Sequence, residues 1–185
     1  MIGAGIGLVL LMFVVAQVFD LPMRTETWKK RAQHFLNKED SETPYQVQQA
    51  NIAIAGGGIL GKGPGNSTQR NFLPHAYSDY IYATIIEEYG IFGGFLILMA
   101  YLLLLLRCIR IFRKCPYAFG AFLALGLSVT LVIQALTNMA VNVGVFPVTG
   151  VTLPMVSMGG SSVIFTSLAI GIILSVARNV EEMEG

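Results

Sequence analysis

The sequence predicts an all-α polytopic membrane protein with about four transmembrane helices, a long structured loop on the outer side and a second, re-entrant outer loop. Three observations carry this. Of the 185 residues, 54% are hydrophobic and only 12% charged, where an ordinary soluble domain carries about a quarter charged. Mean hydropathy is +0.64. Four apolar segments stand along the chain, and a spanning helix needs about 20 mostly apolar residues. The net charge of +1 says nothing about nucleic acid, and no basic tract is long enough to bind it, so no nucleic-acid partner is expected.

The first segment gives a helix over 2–19. It has no basic region ahead of it, and Asp20-Leu21-Pro22 follows instead of a small-residue cleavage site, so it reads as a span rather than a signal peptide. The others predict helices over 79–106, 118–142 and 161–178. Between them lie an outer loop at 20–78, an inner loop at 107–117 and an outer re-entrant loop at 143–160. The inner loop holds Arg107, Arg110, Arg113 and Lys114 without an acid, whereas the link at 143–160 is uncharged. The positive-inside rule makes the basic link cytoplasmic, and loops approaching about 60 residues cross largely regardless of charge. Both ends of the chain are then cytoplasmic. Cys108 and Cys115 flank the basic link and read as reduced thiols.

The loop at 20–78 carries structure signals of its own. Trp28, Ala32, Phe35 and Leu36 recur at helical spacing beside Lys29, Lys30 and Arg31. That is an amphipathic helix lying in the membrane interface or packed in solvent. Thr43-Pro44-Tyr45-Gln46 forms a capping box with proline at N1, and its helix should stop at Gly56-Gly57-Gly58. The glycine-rich stretch from Gly56 to Pro74 contains Lys62 as its internal cation. It is either a cradle for a phosphate or a plain flexible loop. Asn66-Ser67-Thr68 is a glycosylation sequon, a weak pattern alone.

Asp79 opens the next apolar stretch. From the residues alone, a helix cap by Ser78 or Asp79 is the favoured reading. Glu87 and Glu88 lie further along, as structural or cavity-lining acids. Gln134, Asn138 and Asn142 form a polar stripe at four-residue steps, which predicts interhelical hydrogen bonding, with lining of a groove as the alternative. Two prolines and three glycines between Phe146 and Ser162 predict broken backbone. Ser161 and Ser162 then cap the last helix, whose dipole could face an anionic headgroup. His34 and His75 are isolated and read as no metal ligands.

Several stretches together, "YQVQQANIAIAGGGILGKGPGNSTQ", "FLPHAYSDYIYATIIEEYG", "QALTNMAVNVGVFPVTGVTLPMVSMGGSS" and "GIILSVAR", resemble the SEDS family, named for shape, elongation, division and sporulation. The basic "RTETWKKRAQHFLN" is more similar to the division branch. The match covers only the C-terminal half of the family pattern, and Met1 stands at or just before a helix, so a truncated gene product is the expectation.

The resemblance implies a peptidoglycan glycosyltransferase of the bacterial cytoplasmic membrane. Such a protein polymerises lipid II beside a class B penicillin-binding protein, among divisome or elongasome membrane proteins. It also implies Asp79 as the catalytic group and tips its reading from cap to general base. Candidate substrate-binding residues are Lys62 and Arg24 as cations, Gln69, and Ser161 and Ser162. No metal set is assigned, although Asp79 is a candidate ligand for a divalent cation, magnesium or manganese. A lipid II flippase or transporter and a non-catalytic divisome scaffold are the rival readings, and the 185 residues alone are expected to be inactive.

Overall fold

The computed structural model describes residues 45–69, 72 and 77–184. The expected helix at 2–19, the amphipathic helix, Arg24, both histidines and the Thr43-Pro44 capping box lie outside the described residues. Residues 43–185 form one compact unit. Its described part is all-helical: α1 Tyr45–Gly57, α2 Ile81–Lys114, α3 Ala118–Asn142 and α4 Gly160–Glu184. By length and composition α2, α3 and the Gly160–Val180 part of α4 can each cross a membrane. The polytopic membrane class therefore holds.

Helix α1 ends inside the glycine triplet, as expected. Gly57 is where it crosses α2: a Cβ there would lie 2.1 Å from the Ile86 carbonyl oxygen. Ala50, Ala53 and Ala83 pack beside that crossing with Tyr80. Small side chains let the two backbones approach.

Helix α2 differs from expectation at both ends. It starts at Ile81 rather than Asp79 and runs past Leu106 to Lys114. The basic run does not break it because Arg113 and Lys114 in the last turn interact favourably with the negative end of the helix dipole. Pro116 ends it, since the residue before proline disfavours the helical region and Cys115 is accordingly extended. The expected inner loop at 107–117 shrinks to a tight turn. At 34 residues the helix would be about 50 Å long, well beyond the hydrocarbon thickness of about 30 Å. It is also broken, at Gly90, with φ +70°. From Ile91 onward, Ile91, Phe95, Met99, Leu103 and Leu106 are exposed along one face. This is the apolar stripe a lipid-facing span requires.

Helix α3 occupies the expected 118–142. Its C-terminal half packs through Ala135 and Met139 against Tyr82 and Ile86 of α2 and Leu153 of the following loop. Its N-terminal half packs through Ala124 and Leu131 against Cys108, Ala169 and Ile173. Helix α4 continues past Arg178, where Arg178 and Glu182 form an i,i+4 ion pair at 2.7 Å. Gly160 is its first residue, so Ser161 and Ser162 lie within the first turn and do not cap it as expected.

Candidate functional site

Three consecutive carbonyls fix the segment entering α2. The Tyr77 carbonyl accepts from the Met158 N–H at 2.8 Å. The Ser78 carbonyl accepts from Ser157 Oγ at 2.6 Å. The Asp79 carbonyl accepts from Asn138 Nδ2 and Asn142 Nδ2, each at 2.9 Å. The loop at 143–159 and the polar stripe of α3 thus hold the backbone of residues 77–79. Unpaired buried backbone polar groups are costly, and here non-helical backbone is satisfied by protein rather than by water.

The same stripe organises the loop. Asn138 Nδ2 also donates to the Val151 carbonyl at 2.7 Å, and Gln134 Nε2 to the Thr152 carbonyl at 3.1 Å. Within the loop Ser157 Oγ accepts from the Leu153 N–H at 2.8 Å, and Tyr101 Oη donates to the Pro154 carbonyl. Leu153 and Ser157 are buried. The expected interhelical bonding role of Gln134, Asn138 and Asn142 therefore takes a specific form. They bind loop backbone and the start of α2.

This arrangement bears on the two readings of Asp79. The residue capping α2 is Tyr80, with no side-chain cap bond. The N-terminal donor at Ala83 is met from another helix, by Asn142 Oδ1 at 3.2 Å. Ser78 Oγ donates to Asp79 Oδ1 at 2.9 Å instead of capping. Neither Ser78 nor Asp79 is a cap, so the Asp79 carboxylate is not engaged with the helix terminus. It is partly exposed, and a Cβ on Gly150 would stand 3.7 Å from its Oδ2. Gly150, at φ +71°, adopts the left-handed region that glycine tolerates.

Gly150 also lines an open cavity of about 430 Å³ with Gln134, Thr152, Ser161, Ser162 and Thr166. Ser162 Oγ and Thr152 Oγ1 share a hydrogen bond of 2.9 Å across it. Two of the sequence candidates, Ser161 and Ser162, thus line the same open cavity as Gly150, together with the apolar Val151 and Phe165.

Lys62 and Gln69 go elsewhere. The glycine-rich loop does cradle an anion, but that anion is Glu87. The Glu87 carboxylate is fully buried and receives Lys62 Nζ at 2.6 Å. It also accepts from Ser67 Oγ, from Thr68 Oγ1 at 2.9 Å and from the N–H groups of Thr68 and Gln69 at 3.2 and 3.3 Å. Backbone bonds join the same loop to the break in α2. The Lys62 and Gly63 N–H groups donate to the Glu87 and Glu88 carbonyls at 2.9 Å, and the Ile91 N–H donates to the Gly58 carbonyl at 3.1 Å. The carbonyls freed by the unwound turn at Gly90 are thereby satisfied. Ser67 and Thr68 of the sequon belong to this clasp. Lys62 is a corrected expectation, as its ammonium is paired with Glu87 and Thr68 rather than presented beside Asp79. Sequence reasoning ranked Glu87 as structural without finding its partners. The available signal was the pairing of a lone loop cation with an acid three residues before the glycine at 90. Among the described residues no cluster of three or more His, Cys, Asp or Glu side chains could hold a metal.

Comparison with known proteins agrees with this architecture. The family model of cell cycle proteins, FtsW, RodA and SpoVE, matches residues 1–182. The probable peptidoglycan glycosyltransferase FtsW of Trichlorobacter lovleyi is 38% identical over 180 residues, covering 96% of this chain and 46% of that protein. Stage V sporulation protein E of Bacillus subtilis is 39% identical over 176 residues, covering 94% and 47%. A chain of a solved peptidoglycan synthase complex, described for its structural coordination of polymerization and crosslinking, superposes with a TM-score of 0.62 at 28% identity, covering 91% of this chain and 48% of that one. The chain spans about half the length of the curated relatives it matches. With matching sequence along nearly its whole length and a matching fold, the chain belongs to the FtsW/RodA/SpoVE family of cell cycle proteins.

Proposed function

We propose that this chain carries the general base of a peptidoglycan glycosyltransferase that polymerises lipid II at the outer face of the bacterial cytoplasmic membrane, and that the base is Asp79. Growing a glycan on a polyprenyl pyrophosphate requires an acceptor hydroxyl to attack an anomeric carbon. A positioned carboxylate takes the hydroxyl proton as the new bond forms and the pyrophosphate leaves. The observation that carries the reading is the contrast within one residue. The Asp79 backbone is held by Asn138 and Asn142, while its carboxylate is kept out of the cap and beside the cavity that Gly150 lines. Such rigid mounting, with Ser78 Oγ on one carboxylate oxygen and the other turned toward Gly150, is what preorganised acid–base chemistry needs.

Ser161, Ser162 and Thr152 supply hydroxyls for sugar or phosphate oxygens, and the start of α4 supplies N–H groups for negative charge. A divalent cation, if it takes part, would have Asp79 as its one protein ligand among the described residues and would take its other ligands from substrate oxygens and water. When bound, it stabilises charge on the leaving pyrophosphate. A class B penicillin-binding protein is the partner this reading implies, in line with the peptidoglycan synthase complex the fold resembles.

The test is lipid II polymerisation by a chimera in which residues 1–182 replace the matching part of the T. lovleyi protein, assayed with a partner transpeptidase. Glycan ladders from the chimera and none from its Asp79→Asn form support the reading. Equal ladders from both return the chain to the scaffold reading. A transporter reading asks for an acid exchanging between two sides of the membrane. Glu87, the buried acid available for that, is saturated by five donors. The orientation has its own test. With the basic end cytoplasmic, an impermeant maleimide should leave the half-exposed Cys115 unlabelled in intact cells and label it in inverted vesicles. Labelling in intact cells would reverse the orientation.

A further inference from the structure

The buried Ser157 hydroxyl is a relay between two parts of the site. Its Oγ accepts from the Leu153 N–H at 2.8 Å and donates to the Ser78 carbonyl at 2.6 Å. One end of the relay is the cavity wall, because Leu153 directly follows Thr152, which lines the cavity and is hydrogen-bonded to Ser162. The other end is the residue directly before Asp79. The turn between them is anchored on every side. The Leu153 carbonyl accepts from the Ser157 N–H at 2.9 Å, and the Pro154 carbonyl accepts from Tyr101 Oη. The Leu153 side chain is fully buried among Tyr82, Ile86, Ala135 and Met139. Within this turn Met155, at φ +62°, is the one non-glycine residue in the left-handed region among the described residues. Such strain persists only where the surroundings over-determine the backbone. Met155 is itself exposed, so the strain comes from the anchors around it.

We propose that Ser157 is a positioning residue, whose hydroxyl sets the separation between the Asp79 carboxylate and the cavity that Thr152, Ser161 and Ser162 line. The inference rests on the reading of Asp79 as the base. Asn138 and Asn142 tie the Asp79 carbonyl to α3, whereas Ser157 ties the neighbouring carbonyl to the turn behind Thr152. A hydroxyl suits the task because one atom both donates and accepts. Its two bonds also leave neither the Leu153 N–H nor the Ser78 carbonyl unpaired. At 3% exposure it is out of reach of substrate, and it acts through the geometry of groups that are not.

The experiment measures kcat and KM for lipid II, per folded molecule, in the T. lovleyi chimera with its partner transpeptidase. Ser157→Ala should lower kcat about ten- to a hundredfold, the scale of misplacement by an ångström, while KM stays unchanged. Tyr101→Phe is the matched control. It removes an anchor of the same turn and spares both Ser157 bonds, so it should lower the melting temperature and keep kcat. If Ser157→Ala fails to fold, Met155→Gly/Ser157→Ala, in which glycine relieves the left-handed strain, is measured against Met155→Gly. Wild-type kcat in Ser157→Ala, with Asp79→Asn inactive, overturns the inference and leaves the base reading standing. Full activity of Asp79→Asn brings down the base reading and the inference with it. An equal loss of kcat in Tyr101→Phe, or a double variant that still does not fold, overturns the inference by assigning Ser157 to general stability. A raised KM at constant kcat overturns it by assigning Ser157 to substrate binding.

Discussion

Asp79 and Glu87 stand eight residues apart on one stretch of chain and are held in opposite ways. At Asp79 the protein grips the backbone and leaves the carboxylate available. At Glu87 it grips the carboxylate, from five directions, and buries it. An acid whose lone pairs are all taken is part of the scaffold, since nothing can deliver or remove a proton without dismantling the clasp. An acid whose position is fixed by its own main chain can change protonation without moving. The two acids therefore divide chemistry and architecture between them.

Substitutions can break that division, and the largest effect should be on rate. Asp79→Asn in the chimera should lower lipid II polymerisation by roughly two to four orders of magnitude, the usual range for losing a general base. Melting in detergent should barely change, because the carboxylate caps nothing. A variant that loses both rate and fold would show that the carboxylate is structural.

Glu87→Ala should invert the pattern. It removes the acceptor of five hydrogen bonds and the partner of the partly exposed Lys62, at a cost of about 1–3 kcal/mol for the donors left unpaired, seen as a drop in melting temperature. The rate per folded molecule should fall by much less than in Asp79→Asn. A stable Glu87→Ala protein with no activity would erase the distinction drawn here.

Asn142→Ala tests the connection between backbone grip and chemistry. It leaves the Ala83 N–H without its acceptor and removes one donor from the Asp79 carbonyl. Stability should drop by about 1–3 kcal/mol. Misplacement of Asp79 by an ångström would lower the rate by about a hundredfold. An unaltered rate per folded molecule would mean Asn138 alone suffices to hold the segment.

Ser161→Ala should have the smallest effect. Ser161 is exposed in the first turn of α4, so stability should stay within about 0.5 kcal/mol. A rise in the lipid II concentration needed for half-maximal rate, at constant maximal rate, would identify it as a binding group.

Much of this was legible in the sequence because the membrane imposes length and polarity on each span. Helix α3 could be read from its apolar run, the end of α1 from its glycines, and the polar stripe from four-residue spacing. The misread features depend on partners far along the chain. The acceptor for the Ala83 N–H comes from Asn142, on another helix, whereas local capping rules pointed to Ser78 and Asp79. Lys62 looked like a cation waiting for a ligand because its carboxylate lies 25 residues ahead. The late ends of α2 and α4 escaped notice because hydropathy marks where hydrocarbon stops, whereas a helix can continue among headgroups on ion pairs and dipole interactions. The Gly90 break was hidden within an apolar run, and only its contact with the glycine-rich loop accounts for it. A Cβ there would lie 2.1 Å from the Ile59 carbonyl oxygen.

The glycine-rich cradle has a pharmacological consequence. Its N–H groups and lysine are already filled by a carboxylate tethered through the polypeptide. Any soluble phosphate or phosphate mimic aimed at that loop must compete with an intramolecular ligand whose effective concentration is of millimolar order or higher. Displacing Glu87 would also uncouple the loop from the broken turn of α2. Compounds designed against the loop should therefore act as destabilisers of its contact with the α2 break rather than as competitors of substrate, and their potency should not depend on substrate concentration.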